Sequence, residues 1–300
     1  MQLINLQESA ADAVERARAL ETGNILFFPQ TPFEIPAADK ELLLSMRLAD
    51  GSFHKNIAYR PNQDRISGLA DAGPAVQDQV AGALRRYSQR AIDFLGELLP
   101  HYKDKWRLDF ASFRPLEEEG RSLSWKKRND LLHIDAFPTR PTNGDLILRL
   151  FTNIHPSKMR VWLTGDPFGP LAERYAPAAG LQRISGHASS PGHRGRRTVK
   201  RLFRQLGLPV ADRSPYDEFM LGFHDFLKSN SDYQQNCPKY RLEFPPNSTW
   251  IVFTDVVPHS VLSGQFALEQ TLVISRDTLV SPAHAPVAIL ERLAGTRLTN

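Results

Sequence analysis

The sequence predicts an α+β protein: a double-stranded β-helix (jelly roll) core with an N-terminal helical layer and a long insertion. Three observations carry this. Helical periodicity dominates residues 1–105, short strand-like runs dominate 106–164 and 240–280, and a polar, basic stretch at 165–239 separates the two strand-rich blocks. Strands split by such an insertion must pair non-locally, as jelly-roll strands do. No convincing linker divides the chain, so residues 1–300 read as one domain.

Ser9 to Leu20 reads as a helix, with Ser9 as its cap, Asp12 three residues on, and Gly23 placed to end it. An apolar strand, Ile25-Leu26-Phe27-Phe28, follows and is stopped by Pro29. Residues 36–48 form a second candidate helix. From 75 to 99, Val80, Leu84, Tyr87, Ala91, Phe94 and Leu98 recur at three- and four-residue spacing, the mark of a long amphipathic helix. Alternation then takes over at 108–113, and strands are expected at 131–137, 145–154 and 159–164. The insertion holds a Gly/Ser/Pro/His-rich loop (185–195), a basic segment (194–204) and a helix (216–228); strands resume at 241–244, 249–254 and 265–276.

A hydrophobic content of 41% over 300 residues suffices for a sizeable core. One cysteine, Cys237, excludes an intrachain disulfide and suits a reducing cytosol. The N-terminus lacks a secretory pattern, and no run approaches the roughly 18 apolar residues of a membrane span. The expected location is therefore the cytoplasm. The net charge of +4 tilts toward an anionic partner without selecting one.

Chemistry concentrates in Leu131-Leu132-His133-Ile134-Asp135-Ala136-Phe137-Pro138. On an extended strand, residues two apart share a face, so His133 and Asp135 can grip one metal ion together. His259, after the β-rich run 250–255, completes two histidines and one carboxylate, a set that leaves coordination positions open for non-haem iron. A His-x-Asp pair alone is a weak signal, and its ordinary reading is a hydrogen-bonded histidine. Its apolar flanks strengthen it, because a bare buried carboxylate needs a partner.

Strand parity adds an arginine. Phe266, Leu268, Gln270, Leu272, Ile274 and Arg276 share the more apolar face, and a guanidinium ending an interior stripe needs an anion. Arg149, with Asn153 on the same face of 145–154, competes for that role. The densest basic run holds Arg197, Lys200, Arg201 and Arg204 at helical spacing. It reads first as a solvated helix, second as a contact to a membrane or lipid phosphate, and last as a nucleic-acid surface, for which no motif is present.

His133-x-Asp135, His259 and the downstream Arg276 resemble the Fe(II)/2-oxoglutarate dioxygenases. Three longer stretches resemble one branch, the 3-deoxy-D-manno-oct-2-ulosonic acid (Kdo) hydroxylases: Phe53-His54-Lys55-Asn56-Ile57-Ala58-Tyr59-Arg60-Pro61, His133 through Pro141, and Asn143-Gly144 through Ile154. The resemblance implies Fe(II) on His133, Asp135 and His259, with 2-oxoglutarate and O2 as co-substrates. It implies that Arg276 takes the distal carboxylate of 2-oxoglutarate, with Arg149 and Asn153 as the other cofactor candidates. The implied reaction is hydroxylation at C3 of the Kdo sugar of Kdo2-lipid A. Lys55, Asn56, Tyr59, Arg60 and Arg140 are the expected acceptor contacts. Arg197, Lys200, Arg201 and Arg204 would meet the cytoplasmic face of the inner membrane. The alternatives are the same chemistry on another acidic or sugar substrate, a non-catalytic jelly-roll binder of anionic glycolipid, and a zinc hydrolase. For the last, no partner base is evident.

Overall fold

The computed structural model describes residues 1–46, 56–69, 72–188 and 213–299. Eleven strands lie among them: β1 (Leu3–Asn5), β2 (Ile25–Phe28), β3 (Ile57–Arg60), β4 (Arg65–Ser67), β5 (Trp106–Arg114), β6 (Leu146–Asn153), β7 (Arg160–Thr164), β8 (Tyr240–Phe244), β9 (Thr249–Phe253), β10 (His259–Ser263) and β11 (Ala267–Ile274). The described helices are α1 (Ala13–Glu21), α2 (Ala37–Ser45), α3 (Pro74–Leu98), α4 (Phe168–Tyr175), α5 (Leu181–Ala188), α6 (Pro215–Ser229), α7 (Ser231–Asn236) and α8 (Pro286–Ala294). An eight-stranded sheet runs β1-β2-β9-β6-β11-β5-β3-β4, and a three-stranded sheet runs β10-β7-β8. These are the two sheets of a jelly roll, with a helical layer packed on the larger one.

Parity divides the large sheet. Leu148, Leu150, Leu268, Leu272, Ile251 and Phe253 join Val80, Leu84, Tyr87, Ala91 and Leu95 of α3 in the main core. Two buried polar contacts fix the helix there: Ser88 Oγ donates to Gln270 Oε1 at 2.7 Å, and Tyr87 Oη pairs with Thr152 Oγ1 at 3.2 Å. The opposite face looks into the jelly roll. Phe151, Trp250 and Val252 meet Trp162, Phe244 and Val261 of the small sheet in a second apolar cluster. Trp250 stacks on Phe244 at 3.9 Å between centroids and on Phe151 at 5.3 Å.

β11 departs from simple alternation against β5. The register steps from Gln270 opposite Ala111 to Leu272 opposite Leu108, so Asp109 and Phe110 both oppose Thr271. This is a β-bulge, and it re-aims the two side chains it contains.

Several sequence expectations change. Asp12, not Ser9, caps α1, accepting from Glu15 N while Glu15 returns a bond to Asp12 N. Residues 131–137 form no strand; His133 pairs with His259 as an isolated bridge, and the chain then turns away toward Pro138. The expected strand 265–276 ends earlier, and Arg276 opens a 3-10 turn, Arg276–Thr278.

Helix α6 lies in the expected insertion and is tied to the segment after Asp135. Buried Asp217 accepts from Thr142 N (2.8 Å) and Asn143 N (3.0 Å) through Oδ1, and from Ser214 N (3.0 Å) and Ser214 Oγ (2.6 Å) through Oδ2. Truncation would orphan four donors at once. Asp217→Ala is expected to lower unfolding stability by about 2–4 kcal/mol in urea titrations. A loss below about 0.5 kcal/mol would mean that this carboxylate does not tether α6.

Candidate metal centre

The bridge between His133 and His259 is reciprocal: His133 N donates to His259 O at 3.1 Å, and His259 N to His133 O at 2.8 Å. Paired residues put their side chains on one side, and the rings lie 4.9 Å apart. Asp135 N donates to Thr254 O at 2.9 Å, which keeps the aspartate in line for one more step. Each imidazole uses Nδ1 on the carbonyl two residues before it, His133 on Leu131 O (2.6 Å) and His259 on Val257 O (3.0 Å). With Nδ1 as the donor, each Nε2 carries a lone pair, the tautomer a metal ligand needs. Trp162 stacks on His259 at 5.2 Å and braces the ring.

One ligand atom from each of His133, Asp135 and His259 lies within 4.8 Å of the others. Asp135 Oδ2 is buried without a hydrogen-bond partner, 3.3 Å from an Arg149 nitrogen and 3.8 Å from His259 Nε2. Burial depresses the pKa of both histidines, and the neighbouring imidazoles His259 and His224 depress His133 further. Burial would raise Asp135, but Arg149, His259 and His133 outweigh it and hold the carboxyl well below its usual range. Two neutral imidazoles and one carboxylate on a common side, with an orphaned oxygen, fit a divalent first-row metal.

These groups line a cavity of about 250 Å³. Its lining is strongly positive: Arg114, Lys126, Lys127, Arg149, Arg160 and Lys228 against the single carboxylate of Asp135. Some of that charge is matched from behind. Glu269 accepts from Arg114 and sits 3.3 Å from Arg149, which reaches on to Asp135. Burial alone would raise Glu269; Arg114 and Arg149 overcome it and pull the carboxyl to about 2.

Arg160 differs from these. It is buried, its Nη1 donates to Gly264 O at 3.0 Å, and its Nε has no partner. Among the described residues no carboxylate lies within ion-pair distance, and burial, with Arg114 beside it, lowers its pKa to about 10. Gly264, at φ +129°, is what makes room: a Cβ there would lie 2.7 Å from Arg160 Cγ.

The other expected site residues separate. Asn56 and Arg149 line the cavity. Arg276 does not: its backbone N donates to Asp145 and its guanidinium packs by Gly144, at the far end of β11. The apolar face of 266–276 is the one that packs on α3, whereas the cavity is built on the face carrying Glu269 and Thr271. Asn153 is also corrected. Its amide donates to Lys158 O and Phe244 O, and its Oδ1 accepts from His155 N, so it closes a loop outside the cavity. Tyr59 turns the other way, donating to Asp64 Oδ1 at 2.8 Å and accepting from Arg85 Nε at 3.3 Å. Arg60 and Arg140 meet over the Phe110 ring, at 4.9 and 4.2 Å, in a second cavity of about 580 Å³. Lys55, Arg197, Lys200, Arg201 and Arg204 lie outside the described residues.

Sequence reasoning missed Arg114, Arg160, His224 and Lys228 as lining groups. A usable signal existed for two of them. His224 and Lys228 stand one helical turn apart on α6, the spacing that puts two side chains on one face.

A family model described as 3-deoxy-D-manno-oct-2-ulosonic acid (Kdo) hydroxylase matches residues 4–297. No curated protein matches. Among solved structures, the chain is similar to the Kdo hydroxylase KdoO, a non-heme Fe(II) alphaketoglutarate-dependent dioxygenase, in complex with alphaketoglutarate and Fe(III). The TM-score is 0.83 and the identity 34%, covering 100% of this chain and 98% of that one. The succinate and Fe(III) complex of KdoO matches with a TM-score of 0.82 and 34% identity, over 99% and 97% of the two chains. The KdoO apo structure gives 0.82 and 33%.

Asp255 gives the site a pH signature. Its Oδ1 accepts from Ile147 N at 3.1 Å, its Oδ2 has no partner, and burial raises its pKa from 3.8 to about 7. A raised folded-state pKa stabilises below the unfolded value, and that contribution is lost as pH rises through the folded one. Asp255→Asn, which mimics the protonated acid, is therefore expected to change stability by less than about 1 kcal/mol at pH 4. At pH 8 it should add up to about 4 kcal/mol. Urea unfolding at the two pH values measures this, and an equal effect at both would contradict it.

Proposed function

The chain belongs to the Kdo hydroxylase family and is an Fe(II)/2-oxoglutarate-dependent dioxygenase, and we propose that it hydroxylates C3 of the Kdo sugar in Kdo2-lipid A. The observation that carries this reading is the His133, Asp135 and His259 cluster at the wall of a cavity whose charged lining residues, Asp135 apart, are all cations. Such a lining suits a dicarboxylate co-substrate and a sugar acid bound side by side.

His133, Asp135 and His259 would hold the iron. When bound, iron with 2-oxoglutarate and O2 supplies the oxidising power that turns an unactivated C–H into C–OH, leaving succinate and CO2. The chain's own residues do the positioning. Leu131 O and Val257 O fix both imidazoles in the ligating tautomer. Arg149, with His259 and His133, keeps Asp135 ionised. Trp162, Phe151 and Val261 keep one wall dry. We assign the distal carboxylate of 2-oxoglutarate to Arg160 instead of Arg276, because Arg160 is the buried guanidinium of the lining with no carboxylate of its own. Arg149 is already engaged by Asp135 and Glu269.

Among the described residues no helix is long and apolar enough to cross a membrane. Access to a lipid-anchored acceptor would then be peripheral, at the cytoplasmic face of the inner membrane. The basic residues Arg197, Lys200, Arg201 and Arg204 are the candidates for that contact.

Mass spectrometry of Kdo2-lipid A treated with the protein, Fe(II) and 2-oxoglutarate is expected to show one added oxygen on the sugar. Asp135→Ala should abolish it, and an unmodified sugar with the wild-type protein would reject the acceptor. Arg160→Leu should raise the apparent KM for 2-oxoglutarate by at least about 30-fold, from the loss of a buried charge partner. Arg276→Ala should change it less than about twofold. The reverse ranking would return the role to Arg276.

A further inference from the structure

Helix α6 brings a second face to the metal cavity. His224 and Lys228 both line it. His224 is held by its Nδ1 on Ile134 O at 2.6 Å, with its ring edge-on to His133 at 4.9 Å between centroids. Lys228, in the last turn, is buried; its Nζ donates to Lys126 O at 2.8 Å. One bond uses one of three ammonium protons, so two remain for a ligand.

The remaining charges around the metal face are largely accounted for. Arg114 is paired with Glu269, and Arg149 with Glu269 and Asp135. Lys126 is 3.5 Å from Asp225, the nearest acid on the helix that carries Lys228. Two buried lining cations have no carboxylate within ion-pair distance among the described residues: Arg160 and Lys228. They stand on different walls. Arg160 is on β7 beside Trp162 and the His259 side, and Lys228 is on α6 beside His224 and the His133 side. Asp225, Asp135 and Asp130 act on Lys228 only from beyond ion-pair distance; a buried cation with no directly paired carboxylate is costly, which favours an anion at each position.

We propose that Lys228 binds the carboxylate of the acceptor sugar, making α6 the wall that recognises the substrate as a sugar acid. This rests on the functional reading above and on Arg160 serving 2-oxoglutarate. Chemistry favours a carboxylate over a lipid phosphate. In Kdo the carboxylate carbon is one carbon removed from C3, so an acceptor with C3 at the metal must place its carboxylate inside the same cavity of about 250 Å³. The phosphates of lipid A are carried on its glucosamine rings, on a different sugar from C3. A compact ammonium already fixed by one backbone carbonyl presents its two free donors in a set direction. Lys228 thus positions the substrate, and His224 fills the space between it and His133.

The test is binding without turnover. Calorimetry on Co(II)-loaded, 2-oxoglutarate-bound protein would compare the methyl glycoside of Kdo with the same glycoside as its methyl ester. Wild type is expected to prefer the acid by at least about 30-fold. Lys228→Met should bring the acid down to the ester's affinity while 2-oxoglutarate affinity stays within about twofold. Lys228→Arg should restore part of the preference. If Lys228→Met fails to fold, Lys228→Gln, which keeps a donor to Lys126 O, carries the same comparison. An acid preference that survives loss of the lysine overturns the role of Lys228 alone, as does a parallel loss of 2-oxoglutarate binding. A wild-type protein that binds 2-oxoglutarate but neither glycoside overturns the acceptor reading together with this one.

Discussion

Two backbone hydrogen bonds determine where the chemistry sits. The reciprocal pair between His133 and His259 joins a segment that is otherwise no strand to the first residue of β10. Because the two residues face each other directly, their imidazoles emerge on one side without help from side-chain packing. Each ring then repeats one local device, bonding the carbonyl two residues before it. The backbone thus sets position and tautomer together. Asp135 needs only one further bond, to Thr254 O, to fall in register.

Around that fixed centre the jelly roll is divided. One part of the space between the sheets is filled by Phe151, Trp162, Phe244 and Trp250, and it is dry. The other part carries arginines and lysines whose charge is only partly answered by Glu269 and Asp135. Full internal compensation would stabilise the empty protein and weaken its hold on anions. The incomplete compensation is tolerated because the large sheet is anchored elsewhere, by its apolar packing on α3.

Helices α1, α2, α3 and α6, the metal-binding pair and its distant histidine were legible in the sequence, since each rests on local spacing; α4, α5, α7 and α8 were not, and α5 runs into the stretch expected to be a loop from 185. So were β6, β7 and β9, whose β-branched and aromatic runs leave little choice. Arg276 was misplaced for a specific reason. Parity correctly sorted residues 266–276 into two faces, but the apolar face of a sheet covered by helices is the one that meets the helices. The site lies on the face that looks more polar, with Glu269 and Thr271. The bulge at Asp109 and Phe110 cannot be read from β5, because it is defined only against Thr271 in another strand. Arg160 was hidden for a similar reason: a lone arginine before Val161-Trp162 reads as a strand edge until Gly264 is seen to open space for it.

The strand order carries a consequence for how the chain is made. β11 lies between β6 and β5, so among the described strands the last to be synthesised sits near the middle of the large sheet. A nascent chain that has completed β6 and β9 still exposes the open edges of β5 and β6, and its only metal ligands are His133 and Asp135 until His259 emerges. Such edges are templates for pairing with other chains. Folding by a late central insertion is dominated by long-range contacts and is correspondingly slow. The last two described strands therefore finish different tasks: β10 brings His259 to the ligand set from the small sheet, and β11 fills the gap between β6 and β5 in the large one.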